Sequence, residues 1–280
     1  MGLTIRKIED TDSEALFSWV AALGWNPGIK DGACLLAIDP EGMLMAEMDG
    51  RPVGCATVIA YDDTFGFIGA LVVDPTLRGK ANSIPLLLYR RAMEHLGGRN
   101  FGVDTMPTSQ RFSAGLGHLR AYRHLRFEGP IAGHRLSPSI VPLAEIPFDE
   151  LCSYDAACFP ARRERFMRLW LDAYGAGGFA CLRNGRLAGF GVVRQALRGF
   201  RVGPLLADDG EVAEELLLAM GTLSGSASVA LEVPEVNPAA MSLTERFGMI
   251  QLFDTVRMYS RVVPHFSTER VFGIASYEFG

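Results

Sequence analysis

The chain has 280 residues, of which 49% are hydrophobic and 21% charged, a balance that fills a core and excludes a disordered polypeptide. A formal net charge of −5 excludes a broad nucleic-acid footprint and fits a cationic small molecule better. The length points to two domains, and no apolar run approaches a membrane span.

The opening MGLTIRKIEDTDSE has no apolar stretch behind its basic residues, so no signal peptide is expected. Five cysteines (34, 55, 152, 158, 181) form no CxxC pair and read as buried apolar filler. Together these features lead to a cytoplasmic expectation.

In chain order, a strand is predicted at Leu3–Ile8, and Thr11-Asp-Ser-Glu14 forms a capping box for a helix to about Leu23. Gly24-Trp-Asn-Pro-Gly28 breaks the chain before a short helix at Asp31–Ile38. Asp49-Gly50 joins strands Met43–Met48 and Val53–Ala60 as a hairpin, and a third strand covers Phe67–Val73. A helix from Ser83 to about His95, a strand at Phe101–Thr105, a helix near Ser109–Leu116 and a long strand at Ala121–Glu128 follow. Pro130, Pro138, Pro142 and Pro147 mark a linker. Beyond it come helical periodicity over Phe148–Tyr174, a strand at Phe179–Arg183 and the hairpin turn Asn184-Gly185. Strands Leu187–Arg194 and Phe200–Ala207 and a helix from about Glu211 to Met220 continue the order.

The second half repeats the first. Gly50-Arg-Pro-Val-Gly54 matches Gly185-Arg-Leu-Ala-Gly189, and Gly69-Ala-Leu-Val-Val-Asp74 matches Gly203-Pro-Leu-Leu-Ala-Asp208. Val103-Asp104 matches Leu231-Glu232, and Ala121–Phe127 matches Leu252–Met258. The predicted domains are residues 1–129 and 148–280, with 130–147 as linker. One difference stands out. Pro75-Thr-Leu-Arg-Gly-Lys-Ala-Asn-Ser83 follows Asp74, whereas only Asp209-Gly210 precedes the corresponding helix in the second copy. A loop at a helix N-terminus presents backbone N–H groups and positive potential to an anion, and Arg78 and Lys80 add charge. No Walker A or GxGxxG pattern is present.

With its flanking strand and helix, Arg78-Gly79-Lys80-Ala81-Asn82-Ser83 resembles the acyl-CoA signature of the GNAT N-acetyltransferases, Gln/Arg-x-x-Gly-x-Gly/Ala, with Ala81 and Ser83 replacing its later residues. Gly24-Trp-Asn-Pro27, Asp155…Cys158-Phe-Pro160, Val233-Pro-Glu-Val-Asn237, Arg257-Met-Tyr259 and Val271-Phe-Gly…Glu278-Phe-Gly280 extend the resemblance to a bacterial tandem-GNAT subfamily. The resemblance implies an α/β (α+β) fold of two tandem domains, each a mixed, mostly antiparallel sheet flanked by helices, the second degenerate. It implies acetyl-CoA as co-substrate, held through its pantetheine arm by Leu71, Val72 and Val73 and through its pyrophosphate by Arg78, Gly79, Lys80, Ala81, Asn82 and Ser83.

For chemistry, the resemblance implies a backbone oxyanion donor at a splayed strand edge and a carboxylate base. That carboxylate is Asp104 in the first copy and Glu232 in the second; the alternative is a carboxylate satisfied at a strand end. The position of the family's tyrosine, which donates to the departing thiolate, is held here by Ser113 and Thr244, and Ser113 is expected to hydrogen-bond the sulfur. Trp25 and Tyr61 lie where the family lines its acceptor pocket, with core packing as the alternative, and Tyr122 is expected in the core. The histidines have no metal-ligand spacing, so no metal is expected. The implied activity is N-acetyl transfer to a small amine, with no nucleic-acid or membrane partner and a homo-oligomer left open. The alternative is a non-catalytic acyl-CoA-binding or regulatory protein.

Overall fold

The computed structural model describes residues 2–77, 83–132, 137–225 and 227–280. The first half runs β1 (Leu3–Lys7), α1 (Ser13–Ala22), α2 (Asp31–Ile38), β2 (Met43–Met48), β3 (Arg51–Ala60), β4 (Phe65–Val73), α3 (Ser83–Leu96), β5 (Asn100–Thr105), α4 (Gln110–Gly115) and β6 (Leu119–Pro130). The second runs β7 (Ile140–Pro142), α5 (Phe148–Ala157), α6 (Glu164–Tyr174), β8 (Gly178–Arg183), β9 (Arg186–Gln195), β10 (Phe200–Ala207), α7 (Gly210–Ser224), β11 (Ser228–Pro234), α8 (Pro238–Arg246), β12 (Ile250–Tyr259) and β13 (Val271–Gly273).

Local chemistry accounts for these elements. Asp49 and Gly50 have φ of 50° and 78°, and Asn184 and Gly185 have 53° and 72°. Such turns match the twist of the paired strands. Asp209 caps α7 by accepting from the N–H groups of Glu211 and Val212, and Asn237 caps α8 by accepting from that of Ala240. The expected single helical stretch 148–174 is two helices, broken around Phe159-Pro160 because proline cannot continue a helix. The expected linker contains β7, which pairs Ile140 with Cys181 and so forms an edge of the second half's sheet. Ser83 is the first residue of α3 and is exposed.

All strands join one sheet in the order β1-β2-β3-β4-β5-β12-β6-β11-β10-β9-β8-β7, with β13 added beside β10. Only β4–β5 and β10–β11 are parallel. The last long strand of each half has changed places. β12 lies beside β5, with Arg257 opposite Asp104, and β6 lies beside β11, with Arg126 opposite Glu232. Each half therefore needs the other to complete its sheet.

Separate cores form under α3 (Ile84, Leu88, Leu96 against Ala56, Val58, Phe101) and under α7 (Val212, Leu216, Leu217 against Val202, Leu231). A third is shared: Cys34 and Ile38 of α2 pack with Phe166, Met167 and Trp170 of α6 and with Tyr277 and Phe279. The buried Asp31–Arg194 ion pair, at 3.1 Å, crosses the same boundary. All five cysteines are free and buried.

Candidate active site

The parallel pair β4–β5 is in register from Phe65↔Asn100 to Ile68↔Val103 and ends there. Its register with β3 shifts beside Gly69, where one extra residue makes a bulge, and the Ala70 N–H donates to Thr57 Oγ1 at 2.8 Å. Beyond the bulge, the Asp74 N–H donates to the Val53 carbonyl at 2.9 Å. Ladder alternation then turns the N–H and C=O groups of Leu71 and Val73 away from β3. They face an edge that β5 has left, with no backbone partner there among the described residues. The result is an open wedge with hydrogen-bonding groups along one wall. The expected phosphate-loop residues Arg78, Gly79, Lys80, Ala81 and Asn82 lie outside the described residues; Ser83 begins α3 just beyond them.

On the other wall, Thr105 Oγ1 and Ser113 Oγ are 3.3 Å apart, and both residues are buried. Ser113 of α4 is thus held at the end of β5, beside the wedge. Trp25 is buried against Ala70 and Val72, so the fold brings it to the wedge strand. Its Nε1 has no partner among the described residues. Tyr61 is not brought there. It stands at the hairpin end of β4, donates its hydroxyl to the Phe279 carbonyl at 2.7 Å and stacks edge-on against Phe159. Tyr61 therefore fastens the C-terminal segment. Tyr122 is buried, edge-on against His124.

Asp104 is held in a buried ion pair. Arg257 Nε and Nη2 donate to its two oxygens at 2.9 and 2.7 Å, and His124 Nδ1 donates at 2.9 Å. Burial alone would raise its pKa, but the charge of Arg257, then that of His124, and their hydrogen bonds hold it well below the usual carboxylate range. Such a carboxylate is a poor proton acceptor. His124 is itself pushed down by burial against the raising effect of Asp104, so the imidazole is neutral near pH 7 and the ion pair is the one with Arg257. In the second half, Arg126 Nε donates to Glu232 at 2.7 Å and Arg201 Nη2 at 2.9 Å. Burial raises the Glu232 pKa, but Arg201 and then Arg126 outweigh it, leaving a value of about 2. Both expected bases are tied to arginines of a neighbouring strand. Sequence reasoning passed over these arginines, although the repeat alignment places Arg126 and Arg257 at one position.

The corresponding wedge of the second half is filled by the chain itself. β10 and β11 pair up to Val202↔Leu231, and then β13 enters, pairing Leu205 with Gly273 and Leu206 with Val271. Leu205 is the repeat counterpart of Leu71, so β13 occupies the edge that is open in the first half. The Ile274 N–H closes the other wall by donating to the Glu232 carbonyl at 3.0 Å.

Comparison with known proteins agrees with this architecture. A model described as the acetyltransferase (GNAT) domain matches residues 151–273, and one for the acetyltransferase (GNAT) family matches residues 8–101. The chain belongs to the GNAT acetyltransferases. It carries two GNAT domains in tandem and is an acyltransferase. A curated relative, holothin acyltransferase of Pseudoalteromonas sp. (strain SANK 73390), is 25% identical over 264 residues, covering 94% of this chain and 89% of the relative. A crystal structure from Pyrococcus horikoshii has a TM-score of 0.84 at 24% identity, covering all of this GNAT chain and 96% of the other. A tandem GNAT protein from the clavulanic acid biosynthesis pathway has a TM-score of 0.64 at 16% identity over 94% of this chain and all of its own. These two likenesses support the fold. Among the described residues no helix is long and apolar enough to cross a membrane, and no cluster of side chains has a metal-binding arrangement.

Proposed function

We propose that this GNAT protein transfers an acetyl group from acetyl-CoA to a small amine, with all of the chemistry in the first half. One observation carries the reading: the wedge between β4 and β5 is open, whereas its counterpart in the second half is filled by β13. The open edge at Leu71 and Val73 offers alternating donors and acceptors to the amide groups of a pantetheine arm, as an added strand would. The start of α3, with the segment 78–83 before it, offers a positive helix end to the pyrophosphate.

In this arrangement the thioester lies at the Gly69 bulge, where backbone N–H groups released from the ladder can stabilise the oxyanion. The acceptor nitrogen attacks the thioester carbon, forming C–N as the carbonyl π electrons move to oxygen. Collapse breaks C–S, and the sulfur leaves with the electron pair. Ser113 stands at the adjoining wall and hydrogen-bonds that sulfur, in place of the tyrosine of relatives. A thiolate with a reference pKa of roughly 8.5 is a tolerable leaving group. Trp25 forms an apolar side of the acceptor pocket. The curated relative is named for acylating holothin, which supports acyl transfer to an acceptor for this chain.

Calorimetry with acetyl-CoA tests the reading. One site per chain is expected, with binding weakened at least about tenfold in Arg78→Glu, because a phosphate contact is replaced by a like charge. Two sites per chain, or unaltered affinity in the variant, would overturn it.

A further inference from the structure

If acetyl transfer takes place in the first half, the acceptor's proton needs a base other than Asp104. Six carboxylates are buried among the described residues: Asp12, Asp31, Asp104, Asp155, Glu232 and Glu278. Five are ion-paired with arginine: Asp12 with Arg6, Asp31 with Arg194, Asp104 with Arg257, Asp155 with Arg163, and Glu232 with Arg126 and Arg201. Glu278 has no ion pair among the described residues. Its carboxylate accepts from the Ser276 hydroxyl of its own turn, and its N–H donates back to Ser276 Oγ at 3.2 Å. Arg201 feels the charge of Glu278 but is bonded to Glu232 and to the Asn26 carbonyl. A buried carboxylate that no cation bonds directly is available to one arriving from outside.

The position of Glu278 says which cation. Residues 271–280 are all buried and run from the second wedge to the first. At Gly203, the bulge of the second half, a Cβ would stand 2.3 Å from the Ile274 carbonyl oxygen and 2.6 Å from that of Ala275. At Gly69, a Cβ would stand 2.2 Å from the Glu278 carbonyl oxygen. One segment thus passes both bulges, with the backbone of Ile274 and Ala275 against the bulge of the filled wedge and the backbone of Glu278 against that of the open one. Next to Glu278, the Tyr277 ring lies 6.5 Å from that of Trp25, and both Tyr277 OH and Trp25 Nε1 lack partners.

We propose that Glu278 is the general base of the first-half site, and that the acceptor is a primary amine arriving as its ammonium ion beside Trp25 and Tyr277. The carboxylate pairs with the ammonium and takes one proton. The neutral nitrogen attacks the thioester carbon. The departing thiolate receives the second proton from the nitrogen of the tetrahedral adduct, giving the amide and free thiol, and Glu278 returns its proton to solvent.

Two nucleophiles separate this role from a structural one. Ethylamine is an ammonium ion near neutral pH and must be deprotonated, whereas hydroxylamine is largely neutral. With acetyl-CoA and thiol release as the readout, Glu278→Gln should lower kcat for ethylamine by about 10²–10³-fold. It should change hydroxylamine turnover by no more than about threefold and leave acetyl-CoA affinity intact. Glu278→Asp, which keeps the charge, should recover part of the ethylamine rate. Equal losses with both nucleophiles, or unchanged ethylamine turnover in Glu278→Gln, would overturn the assignment while leaving the acetyltransferase reading in place. A wild-type chain that binds no acetyl-CoA, or acetylates neither nucleophile, would overturn that reading and the base with it.

Discussion

Two wedges of common ancestry lie in one sheet, and they have opposite fates. In the first half the edge at Leu71–Val73 has no backbone partner among the described residues, and the segment that follows it in sequence carries Arg78 and Lys80. In the second half the counterpart edge at Leu205–Leu206 is paired with β13, and the segment between strand and helix is only Asp209-Gly210. Unpaired backbone groups facing the interior are expensive, and a strand pairing with that edge satisfies them. The second half still serves the site, supplying β12, Arg257 and Glu278.

This contrast can be broken at several points. The largest effect is expected from dividing the chain. Residues 1–137 retain the loop but lose β12, leaving β5 without its neighbour and Asp104 without Arg257. The fragment should be insoluble or aggregated by size-exclusion chromatography; a soluble, monomeric and fully active fragment would show that the halves are independent.

Next in size is the buried ion pair. Arg257→Leu leaves the Asp104 carboxylate uncompensated and should cost about 3–5 kcal/mol in urea unfolding. The double variant Asp104→Leu/Arg257→Leu should lose distinctly less, because both charges are gone. Equal losses would return the effect to packing.

A smaller and more discriminating pair is Gly69→Ala and Gly203→Ala. Each adds a methyl against a carbonyl of the C-terminal segment and should destabilise by about 1–3 kcal/mol. Turnover should fall in Gly69→Ala beyond what stability explains and persist in Gly203→Ala. Activity lost equally in both would mean that the filled wedge also takes part.

The smallest expected effect is with pH. Burial lowers the pKa of His118 and of His124 below their ordinary 6.5. As pH falls through that value the unfolded chain takes up protons before the folded one, so stability falls. Glu232, at about 2 against an ordinary 4.5, adds stability that is complete above pH 4.5 and lost toward pH 2. The Tm should therefore decline modestly from pH 7 to 5 and steeply below 4.5. In His124→Gln the upper decline should be shallower; an unchanged slope would exclude His124 as a contributor.

The sequence by itself determined the repeat, its hairpins, the order of elements and the presence of the Arg78–Ser83 segment in only one copy. These features rest on local chemistry: alternation, turn residues, caps and spacing. Tertiary structure alone decided which strand completes which sheet, because β6 and β12 have equivalent apolar patterns and either would pair with β5 or β11. The same holds for Asp104, whose ion pair comes from an arginine 153 residues away. Val271–Gly273 reads locally as a short apolar run, and nothing in it says which open edge it will close. That Glu278 has no ion pair among the described residues is likewise visible only once every other buried carboxylate has found its arginine.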